Sequence, residues 1–233
     1  MQFLKLNNMF EVKNLKINTK DKNVVEDASF YIDSGKSILI IGANGSGKSS
    51  LLNGIFHHPE YSIESGNIFL NNKEITNLKT DELARNGLHL FMQHIPEIEG
   101  VSLLSFLHYA YKTISEDNTQ NILQTKEKLE KLCDELDISK EFLLRDLNKG
   151  LSGGEKKQVE LLHILLLSPK IVFMDEADSG ADIETVKKIV KVIEEGKKKD
   201  ISFVIISHLQ NIEKEISFDK VYEMRDKKLY GRN

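Results

Sequence analysis

Residues 42–49 read Gly42-Ala43-Asn44-Gly45-Ser46-Gly47-Lys48-Ser49 and lie between two apolar segments. The segment before them, residues 37–41, is short and rich in β-branched residues, which predicts a buried strand. The segment after them carries apolar residues at helical spacing. Strand, glycine-rich turn and helix form the context in which the pattern G-x-x-x-x-G-K-[ST] binds phosphate. The stretch therefore predicts a nucleoside-triphosphate site in an α/β fold.

The residue types in this turn suit a triphosphate. Its glycines allow positive φ, so that successive backbone N–H groups face one concavity, and the start of the following helix adds a positive dipole end. The Lys48 ammonium is expected to bind the β- and γ-phosphates, and the Ser49 hydroxyl suits Mg²⁺. A glycine-rich hairpin turn is the alternative, which the strand and helix flanks disfavour. The expected nucleotide-binding residues of the turn are Gly42, Asn44, Gly45, Ser46, Gly47, Lys48, Ser49 and Ser50.

Composition excludes several classes of protein. The 233 residues include 32 basic and 36 acidic ones, and the net charge of −4 argues against a general nucleic-acid binder. No apolar run approaches the roughly 18 residues that cross a membrane. The single cysteine, Cys133, excludes an internal disulfide, and its helical spacing from Leu129 and Leu136 predicts a buried position. We expect a soluble, cytoplasmic protein that binds no nucleic acid and inserts no segment into a membrane.

The order of predicted elements indicates one α/β domain with a helical insert. Apolar patterns predict strands near residues 10–17, 28–32, 63–70, 88–91, 171–174 and 201–206, and helices near 155–167 and 182–195. A hairpin is expected within 63–70, at Ser65-Gly66. Between residues 102 and 148 only helical patterns occur. We therefore predict a parallel core sheet with an antiparallel β layer (1–95 and 151–233) and an all-helical subdomain (96–150) within a single domain, 1–233.

Other polar residues follow predicted strands or begin a predicted helix. Asp175 and Glu176 come directly after residues 171–174, where Asp175 suits Mg²⁺ and Glu176 suits polarising a water molecule. Ser152, Gly153 and Gly154 start a helix, a second place where backbone N–H groups bind an anion. The alternatives are two acids that open a loop and an ordinary capped helix. Gln93 and His208 also follow strands, and each taken singly is more often an ordinary polar residue.

The order of these motifs resembles that of the ATP-binding cassette (ABC) ATPases over almost the whole chain. Residues 42–49 resemble their Walker A motif, Gln93 the Q-loop, 151–155 the signature, 171–176 Walker B, 179–182 the D-loop, and His208 the switch histidine. The resemblance implies ATP and Mg²⁺ as ligands and an ATP-dependent homodimer, in which Ser152, Gly153 and Gly154 of one copy close over the nucleotide of the other. It implies catalytic roles for Glu176, His208 and Gln93, and metal contacts from Ser49, Gln93 and Asp175.

Within this family, three strings resemble the SufC branch, the ATPases of the Suf iron–sulfur cluster assembly system. They are residues 152–157, 175–183 and 93–102. This finer resemblance implies a soluble scaffold of the SufB or SufD type as the partner, contacted by residues 84–102. It also implies that Lys157 pairs with Glu176 and holds it idle. Thr19 stands where many relatives stack an aromatic residue on adenine. The alternatives are the ATP-binding subunit of an ABC transporter and a nucleotide-gated clamp on nucleic acid.

Overall fold

The computed structural model describes residues 10–92, 96–115, 119–207 and 215–232. Most of its strands form one ten-stranded sheet, in the order β5-β4-β1-β2-β12-β11-β3-β10-β9-β6, and β7 and β8 pair separately. The strands are β1 Phe10–Asn18, β2 Asn23–Ile32, β3 Ser37–Ile41, β4 Ser62–Leu70, β5 Lys73–Glu74, β6 Leu88–Phe91, β7 Ile98–Ser102, β8 Asp146–Leu147, β9 Ile171–Asp175, β10 Ser202–Ile206, β11 Lys220–Arg225 and β12 Lys228–Arg232.

The half of the sheet from β11 to β6 is parallel, as predicted. Its central strands β3, β9 and β10 are predominantly apolar because both faces are covered. In β9, Val172 and Met174 join the core on one face, and Ile171 and Phe173 join the core on the other. This double burial explains why these strands appear in the sequence as continuous apolar runs.

The other half, from β5 to β2, is antiparallel and confirms the predicted antiparallel layer. The hairpin of β11 and β12, which was not predicted, connects the halves, since β11 pairs with β3 and β12 pairs with β2. The hairpin expected at Ser65-Gly66 is wrong. β4 is one strand with irregular pairing to β1. Gly66 has φ 94°, and a β-carbon there would lie 2.5 Å from the Asn14 carbonyl oxygen, so the position requires glycine.

Six α-helices and one 3₁₀ helix in the described ranges cover the sheet. They are α1 Lys48–Ile55, α2 Thr80–Arg85, α3 Leu103–Ser115, α4 Ile122–Leu136, the 3₁₀ helix Lys140–Leu144, α5 Gly153–Leu167 and α6 Ile183–Lys198. The core on one sheet face includes residues of α3 to α6, and α1 packs into the core on the other. None of the described helices is long and apolar enough to cross a membrane.

The helical insert contains one feature that its sequence did not indicate. β7 pairs antiparallel with the two-residue β8, so the insert is helical except for this strand pair near its ends. The two residues of β8 are too few for a periodic pattern, and β7, Ile-Glu-Gly-Val-Ser, has no apolar alternation, so no strand was predicted here. The limits 96–150 of a separate subdomain stay a prediction.

Two predictions of burial have different outcomes. Cys133 is fully buried on α4, as predicted, and burial raises the pKa of its thiol to about 11. Ile183, which was assigned to the apolar face of the helix over 182–195, is instead 75% exposed. It occupies the first position of α6, directly after the predicted D-loop, where the helix has not yet reached the core.

Candidate nucleotide site

The glycine-rich turn opens onto a cavity of about 350 Å³ at the joint between the two halves of the sheet. From the turn and the start of α1 it is lined by Asn44, Gly45, Gly47, Lys48, Ser49 and Ser50. From elsewhere in the chain it is lined by Thr19, Lys22, Asn23, Val24, Tyr61, Glu176 and Lys227. Gly42 and Ser46, which were also predicted to bind nucleotide, lie in the same turn but do not line the cavity.

Close backbone packing explains the glycines of the turn. Gly47, the residue before α1, has φ 113°, and a β-carbon there would lie 2.7 Å from the Val24 carbonyl oxygen. At Gly42, with φ 153°, a β-carbon would collide with the Met224 carbonyl oxygen. Side chains at these positions would push the turn away from its neighbours. The N–H groups of the turn and of the first residues of α1 are therefore held near the cavity.

Lys48 is almost completely buried, and its ammonium stays within the turn. It donates hydrogen bonds of 2.9 Å to the carbonyl oxygens of Gly42 and Ala43. Burial lowers the pKa of the ammonium, whereas the nearby carboxylates of Glu176 and Asp175 raise it. A cation next to two acids at the floor of a cavity suits a bound triphosphate, which would bring its own negative charge to the ammonium.

The two described residues of the predicted metal site contact each other. The Ser49 hydroxyl donates to Oδ1 of Asp175, at 3.1 Å, at the end of β9. Gln93, the third predicted metal contact, lies outside the described residues. No group of three or more His, Cys, Asp or Glu side chains in the described ranges could hold a metal ion. One hydroxyl and one carboxylate nevertheless fit Mg²⁺, which is commonly bound by one or two protein oxygens together with substrate phosphates and water.

Glu176 lines the cavity with an uncommon backbone conformation. Its φ is 50°, and its N–H donates to the Ile206 carbonyl oxygen at 3.0 Å, which ties the end of β9 to the end of β10. Left-handed backbone at a residue other than glycine is uncommon and concentrates at functional sites. His208, predicted to act beside Glu176, lies outside the described residues, although β10 ends just before it.

The predicted signature residues do not reach the cavity of their own chain. Ser152 and Gly153 are exposed at the start of α5, and none of the residues Ser152, Gly153 and Gly154 lines the cavity. Ser152 caps α5: its hydroxyl accepts from the Glu155 N–H, and the Glu155 carboxylate accepts from the Ser152 N–H at 2.7 Å. These bonds also lower the pKa of the Glu155 carboxyl.

Lys157, on the buried side of α5, contacts the predicted D-loop. Its ammonium donates a hydrogen bond to the Ser179 carbonyl oxygen, whereas the resemblance to the SufC branch predicted a pair with Glu176. Burial lowers the pKa of Lys157, and the charges of Asp178 and Glu176 raise it. Glu176 thus acts on Lys157 through charge, while the hydrogen bond goes to the backbone.

Several residues that line the cavity carry no motif. Lys22 lies in the turn between β1 and β2, and β2 begins with Asn23 and Val24. Tyr61 directly precedes β4. Tyr61 comes close to Thr19 because Asn18 and Ser62 are paired across β1 and β4. An aromatic ring therefore lines the cavity although Thr19 itself is not aromatic. Only a prediction of strand register could have found Tyr61.

Comparison with known proteins agrees with this geometry. Residues 25–179 match the family model for ABC transporter. A probable ABC transporter ATP-binding protein of Streptococcus pyogenes serotype M18 is 35% identical over 219 residues, which cover 94% of this chain and 86% of that protein. The probable ATP-dependent transporter ycf16 of Cyanidium caldarium is 36% identical over 224 residues, covering 95% and 88%.

A solved structure shows the same fold. It is the dimeric structure of an ATP-binding cassette in a post-hydrolysis state bound to ADP and Pi, with a TM-score of 0.80 at 21% identity, and the match covers 94% of this chain and 96% of that one. The family match extends over most of the chain and includes the glycine-rich turn, the signature and Asp175-Glu176. This chain belongs to the ABC transporter family and is one of its ATP-hydrolysing cassettes.

Proposed function

We propose that this ATPase works as a head-to-tail homodimer whose ATP cycle drives a soluble scaffold of the SufB or SufD type in iron–sulfur cluster assembly. Residues 1–95 and 151–233 would form its catalytic core, and 96–150 its helical subdomain. The observation that supports a dimer is that the predicted site residues lie in two separate places on one chain. The cavity contains the glycine-rich turn and Glu176, whereas Ser152 and Gly153 are exposed outside it.

In this proposal the second copy completes the site. The start of α5 presents backbone N–H groups and a positive dipole end to solvent. Placed over the cavity of a partner copy, Ser152, Gly153 and Gly154 would bind the γ-phosphate from the side opposite Lys48. Two sites would form in one symmetric dimer, because each copy supplies one turn and one signature.

Within the completed site, each side chain has a chemical task. Lys48 would leave the carbonyls of Gly42 and Ala43 to bind the β- and γ-phosphates, and Glu176 would orient the attacking water. Ser49 and Asp175 would hold Mg²⁺, which neutralises charge on the phosphate oxygens when bound. Gln93 and His208, which lie outside the described residues, are proposed to act on the γ-phosphate. ATP binding would therefore favour the closed dimer, and hydrolysis would release it.

Residues 96–102 are the proposed partner surface. Ile98 is 40% exposed and Val101 36% exposed, so part of each apolar side chain is available to a partner. The segment is tied to the signature region: Lys156 pairs with Glu97 at 2.6 Å, and the Asn148 amide donates to the Pro96 carbonyl oxygen at 3.0 Å. A partner bound here would sense the position of the signature helix.

The SufC assignment is supported by two strings that contact each other. Residues 152–157 and 175–183 carry the resemblance, and the bond from Lys157 to the Ser179 carbonyl joins them. The alternative, a transporter subunit with a membrane-embedded partner, is favoured by the names of the relatives from S. pyogenes and C. caldarium.

Capture of partners from native lysate tests the proposal. The full-length chain, tagged and given MgATP, should retain a soluble scaffold protein from the source organism, identified by mass spectrometry. Retention of a membrane protein instead would establish the transporter alternative, and retention of nucleic acid would indicate a clamp. Either result would overturn the Suf assignment while leaving the ATPase intact.

A further inference from the structure

We propose that Lys227, which belongs to none of the motifs, binds the phosphates of the nucleotide. It lines the same cavity as Lys48 and Ser49, yet it comes from the turn between β11 and β12, near the end of the chain. The inference rests on the proposed nucleotide site and adds to it a cation from a separate element. It does not depend on the Suf assignment.

The backbone of Lys227 is in a conformation that favours glycine. Arg225 and Lys228 are paired, so Asp226 and Lys227 alone form the turn, with φ of 48° and 63°. A two-residue turn with both φ values positive is a type I′ turn, for which Asp-Gly and Asn-Gly are the preferred sequences. Asp226 fits this preference, whereas a lysine at the second position is unfavourable. The fold thus tolerates strain at the one position of the turn that lines the cavity.

The turn is also fixed in place beside the cavity. The Lys227 carbonyl oxygen accepts a hydrogen bond of 2.8 Å from the Glu26 N–H, and the next residue, Lys228, pairs with Asp27 of β2. On its other side the hairpin borders Asn44 and Gly45 of the glycine-rich turn. The lysine side chain therefore starts from a defined point between β2 and the phosphate-binding turn.

The charge of Lys227 has no acidic partner within the described ranges. The neighbouring Lys228 forms an ion pair with Glu26 at 3.7 Å, but no such contact occurs for Lys227, whose side chain is exposed. Lys48 is already engaged by two carbonyl oxygens. Lys227 borders the cavity that would hold a triphosphate. The negative phosphate oxygens are strong hydrogen-bond acceptors for a lysine ammonium.

Substitution of Lys227 by glycine separates binding from folding. K227G removes the cation and supplies the residue that the turn prefers, so the melting temperature without nucleotide should stay equal or rise. Affinity for MgADP and for a non-hydrolysable ATP analogue, measured by calorimetry on the full-length chain, should fall about three- to tenfold. The loss should shrink at high salt because the side chain is exposed. K227N, which also tolerates this backbone, should behave alike, and K227R should bind almost as wild type.

The matched control is K228A, which removes the adjacent lysine that is paired with Glu26 and does not line the cavity. Wild-type affinity in K227G, or an equal loss in K228A, would overturn the proposal. A loss that depends on the base, seen with ADP but not with GDP, would also overturn it, because a phosphate contact is common to both. K48A tests the site itself: if K48A also binds normally, the proposed nucleotide site has failed rather than Lys227 alone.

Discussion

At the scale of single residues, the site consists of side chains held by the protein in the positions a ligand would use. Lys48 donates to two carbonyl oxygens of its own turn, and Ser49 donates to Asp175. Both side chains belong to the set proposed to contact phosphate and Mg²⁺. These internal hydrogen bonds hold both side chains in place within the site.

Lys48→Ala should reduce ATP affinity at least tenfold, which corresponds to about 1.4 kcal/mol. The Lys48 ammonium is the one charge that the glycine-rich turn itself supplies to the β- and γ-phosphates, and alanine, a strong helix former, continues α1. Calorimetry measures the affinity, and circular dichroism checks the fold. Lys36→Ala is the control, since Lys36 is an exposed lysine paired with Asp219 at 2.9 Å. Equal affinities in wild type and Lys48→Ala would refute the assignment of this turn.

Glu176→Gln should yield dimers that persist in MgATP, because glutamine keeps the size of the side chain but cannot accept a proton from water. Light scattering after gel filtration would detect them. Glu194→Gln, on the exposed face of α6, should leave both turnover and dimer lifetime unchanged. Normal ATP turnover in Glu176→Gln would show that another group activates the water.

Much of the site could be predicted because the glycine-rich turn, Asp175 and Glu176 lie in short patterns whose chemistry is local. Tyr61 and Lys227 could not be predicted in this way. They reach the cavity through the pairing of β1 with β4 and of β12 with β2, and such register is not encoded in any single stretch.

At the scale of elements, helix α5 carries a buried polar group that the nucleotide site does not use. Glu160 lies 3.3 Å from Nδ1 of His163 and 3.9 Å from Nε2 of His89, on β6. Burial raises the pKa of the Glu160 carboxyl to about 8 and lowers those of His163 to about 3 and of His89 to about 4. Burial therefore favours the uncharged form of all three groups in the folded protein.

Glu160→Gln should gain stability relative to wild type as the pH rises from about 4.5 to about 8. In this window the unfolded chain releases the Glu160 proton, whereas the folded chain keeps it. The free energy of unfolding of wild type therefore falls as the pH rises, by at most about 1.4 kcal/mol per pH unit. Glutamine has no proton to release. Urea denaturation at pH 5 and pH 8 measures the difference. A constant difference would mean that Glu160 is ionised and paired with a protonated His163.

Ile98→Asp combined with Val101→Asp, on β7, should abolish capture of the partner and leave ATP affinity intact. Both side chains are partly exposed and apolar, so aspartate removes contact area and adds charge that a partner would have to bury. Ile122→Asp with Leu123→Asp, on α4, is the matched control, as these residues are 40% and 66% exposed. Undiminished capture by the β7 variant would place the partner surface elsewhere.

Strongly apolar elements were predictable, whereas the hairpin of β11 and β12 and the two-residue strands were not. Strands β9 and β10 and helix α6 are marked by several apolar residues each, whereas β5 and β8 contain two residues each. The false hairpin in β4 arose because Ser65-Gly66 has the composition of a turn. The structure uses that glycine for close contact with β1, a need that only a neighbouring strand creates.

At the scale of the whole molecule, the parallel and antiparallel halves of the sheet meet where β12 lies beside β2. One residue pair, Lys228 with Asp27, forms the register there, together with the bond from the Glu26 N–H to the Lys227 carbonyl oxygen. The cavity lies across the same joint, with Thr19 and Tyr61 on one side and Lys48 and Glu176 on the other.

A nucleotide in this cavity would therefore bridge the joint between the two halves of the sheet. The antiparallel half would contact the base, and the parallel half would contact the phosphates. One nucleotide would thus connect the two halves of the sheet. The orientation of one half relative to the other would then differ between bound ATP and bound ADP. Loss of the γ-phosphate would weaken the contacts to the parallel half and leave those to the antiparallel half unchanged.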